Sequence, residues 1–224
     1  MNPQWKSRLK TFWQEWVKPF LFILIIVTSF RSALADWNDV PSGSMRPTIL
    51  EGDRIFVNKI AYDLKIPFTT FHLLEWGDPE RGDIVVFFSP ADQKRLVKRV
   101  VGIPGDVIEM KDNRLFLNGK PIAYESGGSD ASDNDSISNE ILGDRRHSVM
   151  TTPGKFSIRS FDPIEIPVDQ YFMMGDNRDN SYDSRFFGFV DRRRIIGKAP
   201  AVVLSVDPEN YYRPRFDRFF SALP

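Results

Sequence analysis

Hydrophobic residues follow two different rhythms along this chain. From Trp16 to Trp37 they are nearly continuous, and Pro19–Phe30 carries no charged side chain. Lys18 and Arg31 flank that stretch, where long basic side chains reach the headgroups of a bilayer. A hydrocarbon core of about 30 Å needs roughly 20 apolar residues in helical form. The uninterrupted part is shorter, but its flanks make up the length, so residues 16–37 are read as a transmembrane helix. Lys6, Arg8, Lys10 and Lys18 precede the run and Asp36 and Asp39 follow it. That asymmetry predicts a cytoplasmic N-terminus for residues 1–15, with everything after residue 37 outside. Two alternatives stay open: a helix lying in the interface, and a cleaved signal segment, for which Ser32-Ala-Leu-Ala35 supplies a small-residue pattern.

From Asp53 onward the apolar residues come in short β-branched and aromatic runs bounded by Gly, Pro or Asp. Arg54–Lys59, Asp83–Phe88, Arg95–Val101, Val107–Lys111 and Arg114–Leu117 predict strands, with Asn118-Gly119 as a hairpin turn. Phe156–Ile166, Tyr171–Met174 and Ile195–Val206 continue the pattern. The fold class is therefore mostly β: an N-terminal transmembrane helix, then a β-rich domain over 38–206. Residues 125–143, with Ser-Gly-Gly-Ser-Asp-Ala-Ser-Asp-Asn-Asp-Ser at their centre, are acidic and poor in apolar side chains. Nothing there offsets the entropy of ordering, which predicts a mobile surface insertion. The tail, 207–224, mixes aromatics with arginines; a membrane interface and plain solvent suit it equally.

Thirty basic and thirty acidic residues cancel, so no basic field calls for nucleic acid as a partner. The absence of cysteine excludes disulfides, thiolate metal sites and a cysteine nucleophile. His72 and His147 lie outside every motif described below and are assigned structural or surface roles.

Three clusters carry candidate chemistry. In Pro41-Ser-Gly-Ser-Met-Arg-Pro-Thr48, two serines separated by glycine make a tight loop in which a hydroxyl and a backbone N–H can converge, as an oxyanion hole requires. Taken alone, it is equally a simple linker. In Lys98-Arg-Val-Val-Gly-Ile-Pro-Gly-Asp106, strand alternation puts Leu96, Lys98 and Val100 on one face. A lysine among apolar neighbours loses charge, and moving its pKa from about 10.4 to about 7–8 takes roughly 4 kcal/mol of desolvation. Such an amine can deprotonate a serine; the plainer alternative is a strand lysine reaching the rim, as expected for Arg99. In Gly175-Asp-Asn-Arg-Asp-Asn-Ser-Tyr-Asp-Ser-Arg185, a polar loop follows an apolar strand, so an Asp183–Arg185 pair and a serine that orients the lysine are expected. The spacing lacks the closing glutamate of a calcium loop, so no metal site is assigned.

Taken in order, these clusters, with Gly52-Asp53 and Arg81-Gly-Asp-Ile-Val-Val-Phe87, resemble the type I signal peptidases of bacteria from the anchor to about Pro200. The resemblance implies a membrane-bound endopeptidase that cuts signal peptides from exported preproteins, with a smaller β region, about 107–168, inserted in its catalytic domain. It implies Ser44 as nucleophile, Lys98 as general base, and Ser42 with the Ser44 amide as oxyanion hole. Ser181, Asp183 and Arg185 would be supporting residues. Val40, Pro41, Met45, Leu96 and Val97 would line shallow pockets that select small side chains in Ala-x-Ala sites. It further implies no cofactor, a single-pass location in the inner (cytoplasmic) membrane with the catalytic domain on its outer face, contact with the lipid bilayer, and proximity to the secretion translocon. The family often has two N-terminal spans, whereas this sequence has room for one.

Overall fold

The structure, a computed structural model, describes residues 8, 10–66, 69, 71–129 and 135–224. A five-residue π turn at Trp13–Val17 runs into helix α1 (Lys18–Ala33). Among the described residues one helical stretch, Lys10–Ser29, is long and apolar enough to cross a membrane, and none of them buries it. The helical part stops earlier than 37. Strand β1 (Ala35–Asp39) takes up the end of the expected span, pairing antiparallel with β2 (Asp53–Asn58) from Ala35 opposite Asn58 to Asp39 opposite Arg54. Asp36 and Asp39 explain the switch: the first lies 3.4 Å from Lys59 and the second 2.5 Å from Arg54, partners that a helix in lipid would not offer.

Two-residue alternation places β2. Asp53, Ile55 and Val57 face inward while Arg54, Phe56 and Asn58 are half-buried. After the hairpin β3 (Asp63–Lys65) and β4 (His72–Glu75), strands β5 (Ile84–Phe88) and β6 (Arg95–Gly102) form the centre of the main sheet. β5 and the second half of β6, from Lys98 to Gly102, are buried on both faces, so β5 reads as an unbroken apolar run. The same double cover buries Arg99 completely, where a rim position was expected. Alternation alone assigns every other residue to solvent, and that assumption fails in a strand with layers on either side.

The middle of the chain leaves this sheet. Strands β7 (Val107–Lys111), β8 (Arg114–Leu117) and β9 (Lys120–Pro121) turn tightly at Asp112-Asn113 and Asn118-Gly119, all four in the left-handed region that such turns demand. The centre of the acidic segment, residues 130–134, lies outside the described residues, but its two flanks are strands. Strands β10 (Ala123–Ser129) and β11 (Ser136–Leu142) pair with each other, and β11 pairs along its length with β12 (Arg145–Thr151). One buried carboxylate ties this small sheet down: Glu140 on β11 accepts two 2.8 Å bonds from Arg178 and one of 2.6 Å from Tyr124 Oη. His147 on β12 is buried too, 3.2 Å from Glu140, a structural role in the interior. Burial favours the neutral acid, but the Arg178 guanidinium wins and holds Glu140 far below the usual carboxylate range.

The chain then returns. Strand β13 (Phe161–Glu165) pairs with β7, β14 (Gln170–Met174) pairs with β6 from Arg99 to Gly102, and β15 (Val190–Asp191) pairs with β14. A one-turn helix, α2 (Ser184–Phe187), lies between β14 and β15. The long β16 (Ile195–Asp207) inserts between β2 and β5, giving the order β1-β2-β16-β5-β6-β14-β15, with β17 (Arg213–Pro214) on the end of β16. Residues 207–224 are thus not a loose tail. Arg218 holds Asp53 at 2.6 Å, Leu223 packs on the core of Ile55, Val86 and Val202, and Pro224 O accepts from Arg99 Nη1 at 2.9 Å. Tyr211, Tyr212, Phe216 and Phe220 remain exposed.

Removing one partner of a buried ion pair strands the other charge. Glu140→Ala is expected to lose about 3–5 kcal/mol in urea denaturation, against about 0.5 kcal/mol or less for Glu125→Ala, whose pair with Arg146 is exposed. Equal midpoints for the two variants would show that the Glu140–Arg178 pair does not hold the small sheet in place.

Candidate active site

The loop between β1 and β2 is closed at its base by Val40 N–H to Asp53 O and Gly52 N–H to Val40 O, and Asp53 Oδ2 caps Leu50 N–H. Val40, Met45 and Ile49 drop into the core from it. Those anchors leave a single 3₁₀ turn, Gly43–Met45, standing above the sheet with Ser44 in its middle. Lys98 reaches the same point from β6. Its Nζ lies 2.5 Å from Ser44 Oγ, and the residue is 2% exposed. Burial is the main cause that lowers its pKa from 10.5 to about 8; the negative charges of Asp183 and Asp176 oppose that fall, and Arg185 assists it.

The third loop, after β14, clamps onto the first. Asn177 donates from its backbone N–H to Ser44 O at 3.1 Å and from Nδ2 to Gly43 O at 3.1 Å, and Thr48 Oγ1 donates to Asp176 Oδ2 at 2.6 Å. Arg99, next to Lys98 on β6, grips the same Asp176 carboxylate with two bonds of 2.8–2.9 Å. Asp176 therefore joins the serine loop, the lysine strand and its own loop. Burial pushes this carboxyl up, but Arg99 and Thr48 outweigh it and hold Asp176 below the ordinary range. Asp176, Asn177, Arg99 and Thr48 all lie inside motifs visible in the sequence; their roles as latches required the fold.

Asp183 and Arg185 form the expected ion pair, bidentate at 2.9 Å with both side chains fully buried. Asp183 also accepts from Gly175 N–H at 3.0 Å and caps α2 through Arg185 N–H. Burial raises its pKa, yet Arg185 more than compensates. Gly175 is required by close approach: a side chain there would collide with Ser181 and with the Ser44 carbonyl. Ser181 Oγ is buried beside the dyad but makes no hydrogen bond to Lys98 in this arrangement. It lies near enough to Asp183 to help that carboxylate stay ionised, although the geometry falls short of a full hydrogen bond.

A cleft of about 670 Å³ opens over Ser44 and Lys98. All five residues expected in the small-side-chain pockets, Val40, Pro41, Met45, Leu96 and Val97, line it, as do Ser42 and Ser181. Lys155, Phe156, Tyr182 and Phe186 also line it and were not anticipated. They come from segments whose place over the cleft only the tertiary fold sets. A buried amine beside a serine hydroxyl at an open cleft can support nucleophilic acyl transfer. Among the described residues no group of His, Asp and Glu is arranged to hold a metal.

A buried amine that is charged at neutral pH weakens the fold. Below pH 8 Lys98 is protonated both folded and unfolded, and the folded form bears the desolvation penalty, about 3 kcal/mol for a fall from 10.5 to about 8. Between those values the unfolded chain binds more protons, so stability from this group rises with pH. Lys98→Met is expected to be more stable than the parent by about 3 kcal/mol in urea at pH 7, and by little at pH 10.5. A constant difference at both pH values would contradict the buried-amine account.

The signal peptidase, peptidase S26 family matches residues 13–204. Relatives include Signal peptidase I of Pseudomonas aeruginosa and of Pseudomonas fluorescens, each 39% identical over 219 residues, covering 91% of this chain and 77% of the relative. Signal peptidase I P of Bacillus subtilis subsp. natto is 36% identical over 194 residues, covering 86% of this chain and 90% of the relative. With a family match across most of its length and relatives at this identity, the chain belongs to the signal peptidase family, peptidase S26.

Proposed function

We propose that this protein is a membrane-anchored endopeptidase that removes signal peptides from exported preproteins, with Ser44 as nucleophile and Lys98 as general base. The observation that carries the reading is the 2.5 Å contact between a buried lysine amine and a serine hydroxyl at the floor of an open cleft. Neutral Lys98 takes the Ser44 proton as Oγ attacks the scissile carbonyl. The Ser42 hydroxyl and the Ser44 N–H stabilise the oxyanion, and the amine returns the proton to the leaving nitrogen. Lys98 then activates the water that releases the acyl-enzyme. Ser181 orients the amine once substrate displaces solvent from the cleft, and the Asp183–Arg185 pair holds that loop still.

Substrate enters as an extended strand. β14 pairs with β6 only from Arg99 onward, so the edge of Arg95–Lys98 that faces the cleft is open for backbone hydrogen bonds. Side chains one and three residues before the cut then point the same way, into pockets formed by Val40, Pro41, Met45, Leu96 and Val97, which favour Ala-x-Ala sites. The apolar helix fits an anchor in the inner membrane, and the basic residues before it favour a cytoplasmic N-terminus with the catalytic domain outside. Signal peptides, the bilayer and the neighbourhood of the secretion translocon are the partners this reading implies. The chemistry calls on no cofactor.

Incubation of the purified chain in detergent with a preprotein should give a product whose new N-terminus follows an Ala-x-Ala site. Ser44→Ala and Lys98→Arg should each lower kcat/KM by at least about 1,000-fold while leaving the fold intact, since an arginine never becomes a neutral base; measurable turnover in the arginine variant would place the base elsewhere. In the parent, kcat/KM should climb about ten-fold per pH unit below about 8 and level off above it, following loss of the Lys98 proton. A flat profile from pH 6 to 9 would defeat the lysine assignment.

A further inference from the structure

Phe156 is 91% exposed, yet it lines the cleft that holds Ser44 and Lys98. A bare phenylalanine on a loose loop would mean little, but this one is held. Lys155 Nζ donates to Asn180 Oδ1 at 2.5 Å, and Ser157 Oγ donates to Arg178 O and accepts from Arg185 Nη1, both at 3.2 Å. Arg159 bonds the Asp179 carboxylate through Nε and Nη2 at 3.2 and 3.0 Å and returns to the carbonyls of Thr152 and Lys155. Every neighbour of Phe156 is thus fastened to the loop that carries Ser181. The ring is presented to the cleft by a rigid mount and finds no core to enter. An exposed large apolar residue fixed at the mouth of a site marks a surface completed by a ligand.

We propose that Phe156 determines specificity by covering the substrate side chain at the second position before the cut; the proposal rests on the peptidase reading above. In an extended peptide, alternate side chains point to opposite sides. With positions one and three directed at Val40, Met45 and Leu96, position two turns away from them toward the remaining lining, where Phe156 stands with Tyr182 and Phe186. Apolar contact there favours an aliphatic residue at a position the small-residue pockets leave unread.

Three peptides that differ only in the middle residue of Ala-x-Ala test this, with x as Leu, Gln or Ala. The parent should cleave the Leu peptide with kcat/KM roughly ten-fold above the Ala peptide, and above the similarly sized Gln peptide, as burial of an aliphatic side chain predicts. Phe156→Ala should reduce the Leu advantage to about two-fold, and Phe156→Leu should keep most of it. Because the ring lies outside the core, its removal takes away no packing. The same Leu-to-Ala ratio in parent and Phe156→Ala would overturn the proposal and leave the peptidase reading intact. Failure of the parent to cut any of the three would overturn both.

Discussion

A primary amine kept out of water beside a hydroxyl is the constraint around which the rest of this fold is arranged. Left alone, burial would strip the charge from Lys98; left beside a free carboxylate, the amine would keep it. Asp183 and Asp176 are both close enough to raise its pKa, so their charge has to be met by something else. Arg185 meets the first and Arg99 the second, each through a bidentate pair sealed from solvent. Coulomb attraction at short range in a poorly polarisable interior is large, so an unpaired Asp183 would have made Lys98 a permanent cation. The two arginines therefore act on the lysine by occupying its neighbours. The resulting value of about 8 leaves the amine partly neutral near physiological pH and still basic enough to accept a proton.

Such a balance survives only if the three segments that create it cannot drift. Asp176 supplies the fixed point. Thr48 brings in the serine loop, Arg99 the lysine strand, and Asn177, the next residue, bonds both carbonyls that flank the Ser44 peptide. A second chain of contacts runs outward. Arg185 Nη2 donates to Arg178 O at 2.6 Å, and Arg178 is held in turn by Glu140 from the small sheet. The region between β6 and β14 thus supports the loop from behind, while the main sheet supports it from below.

Much of this was legible in the linear chain, and the reason is local. Turn residues and β-branched runs express their preferences over a few positions, so the strands could be read from neighbours in sequence, whereas Ser44 and Lys98 were singled out together only by the resemblance that all the motifs carry in order. Arg99 was missed because alternation presumes one wet face, and β6 has none from Lys98 onward. The strands on either side of residues 130–134 were missed for a related reason. The segment's composition lacks the apolar content to fold alone, but Glu140 meets Arg178 from 38 residues away, and one buried pair with Tyr124 and His147 gives β11 a place. The end of α1 was set by a partner strand, β2, that begins at Asp53, well beyond the end of β1 at Asp39. Phe156 was read as the start of a strand that begins only at Phe161, and nothing in the sequence marked its ring as part of the cleft.

The connection between helix and site also acts as a ruler. Only Leu34 separates α1 from β1, and Lys59 N–H donates to Leu34 O, so the helix end is stitched to the sheet. β1 then runs five residues, about 17 Å at strand spacing, before Val40 turns into the loop that bears Ser44. On the proposed reading, that strand fixes the greatest height at which Ser44 can stand above the lipid. A substrate whose apolar helix stays in the bilayer has to cover the same distance with extended chain, and about five residues suffice. A shorter connection would press the cleft into the headgroups, and a longer one would admit cuts far from any membrane segment. If Ser44 is the nucleophile, as proposed, tethering it by a paired strand instead of a free linker would select by distance before the proposed pockets select by shape.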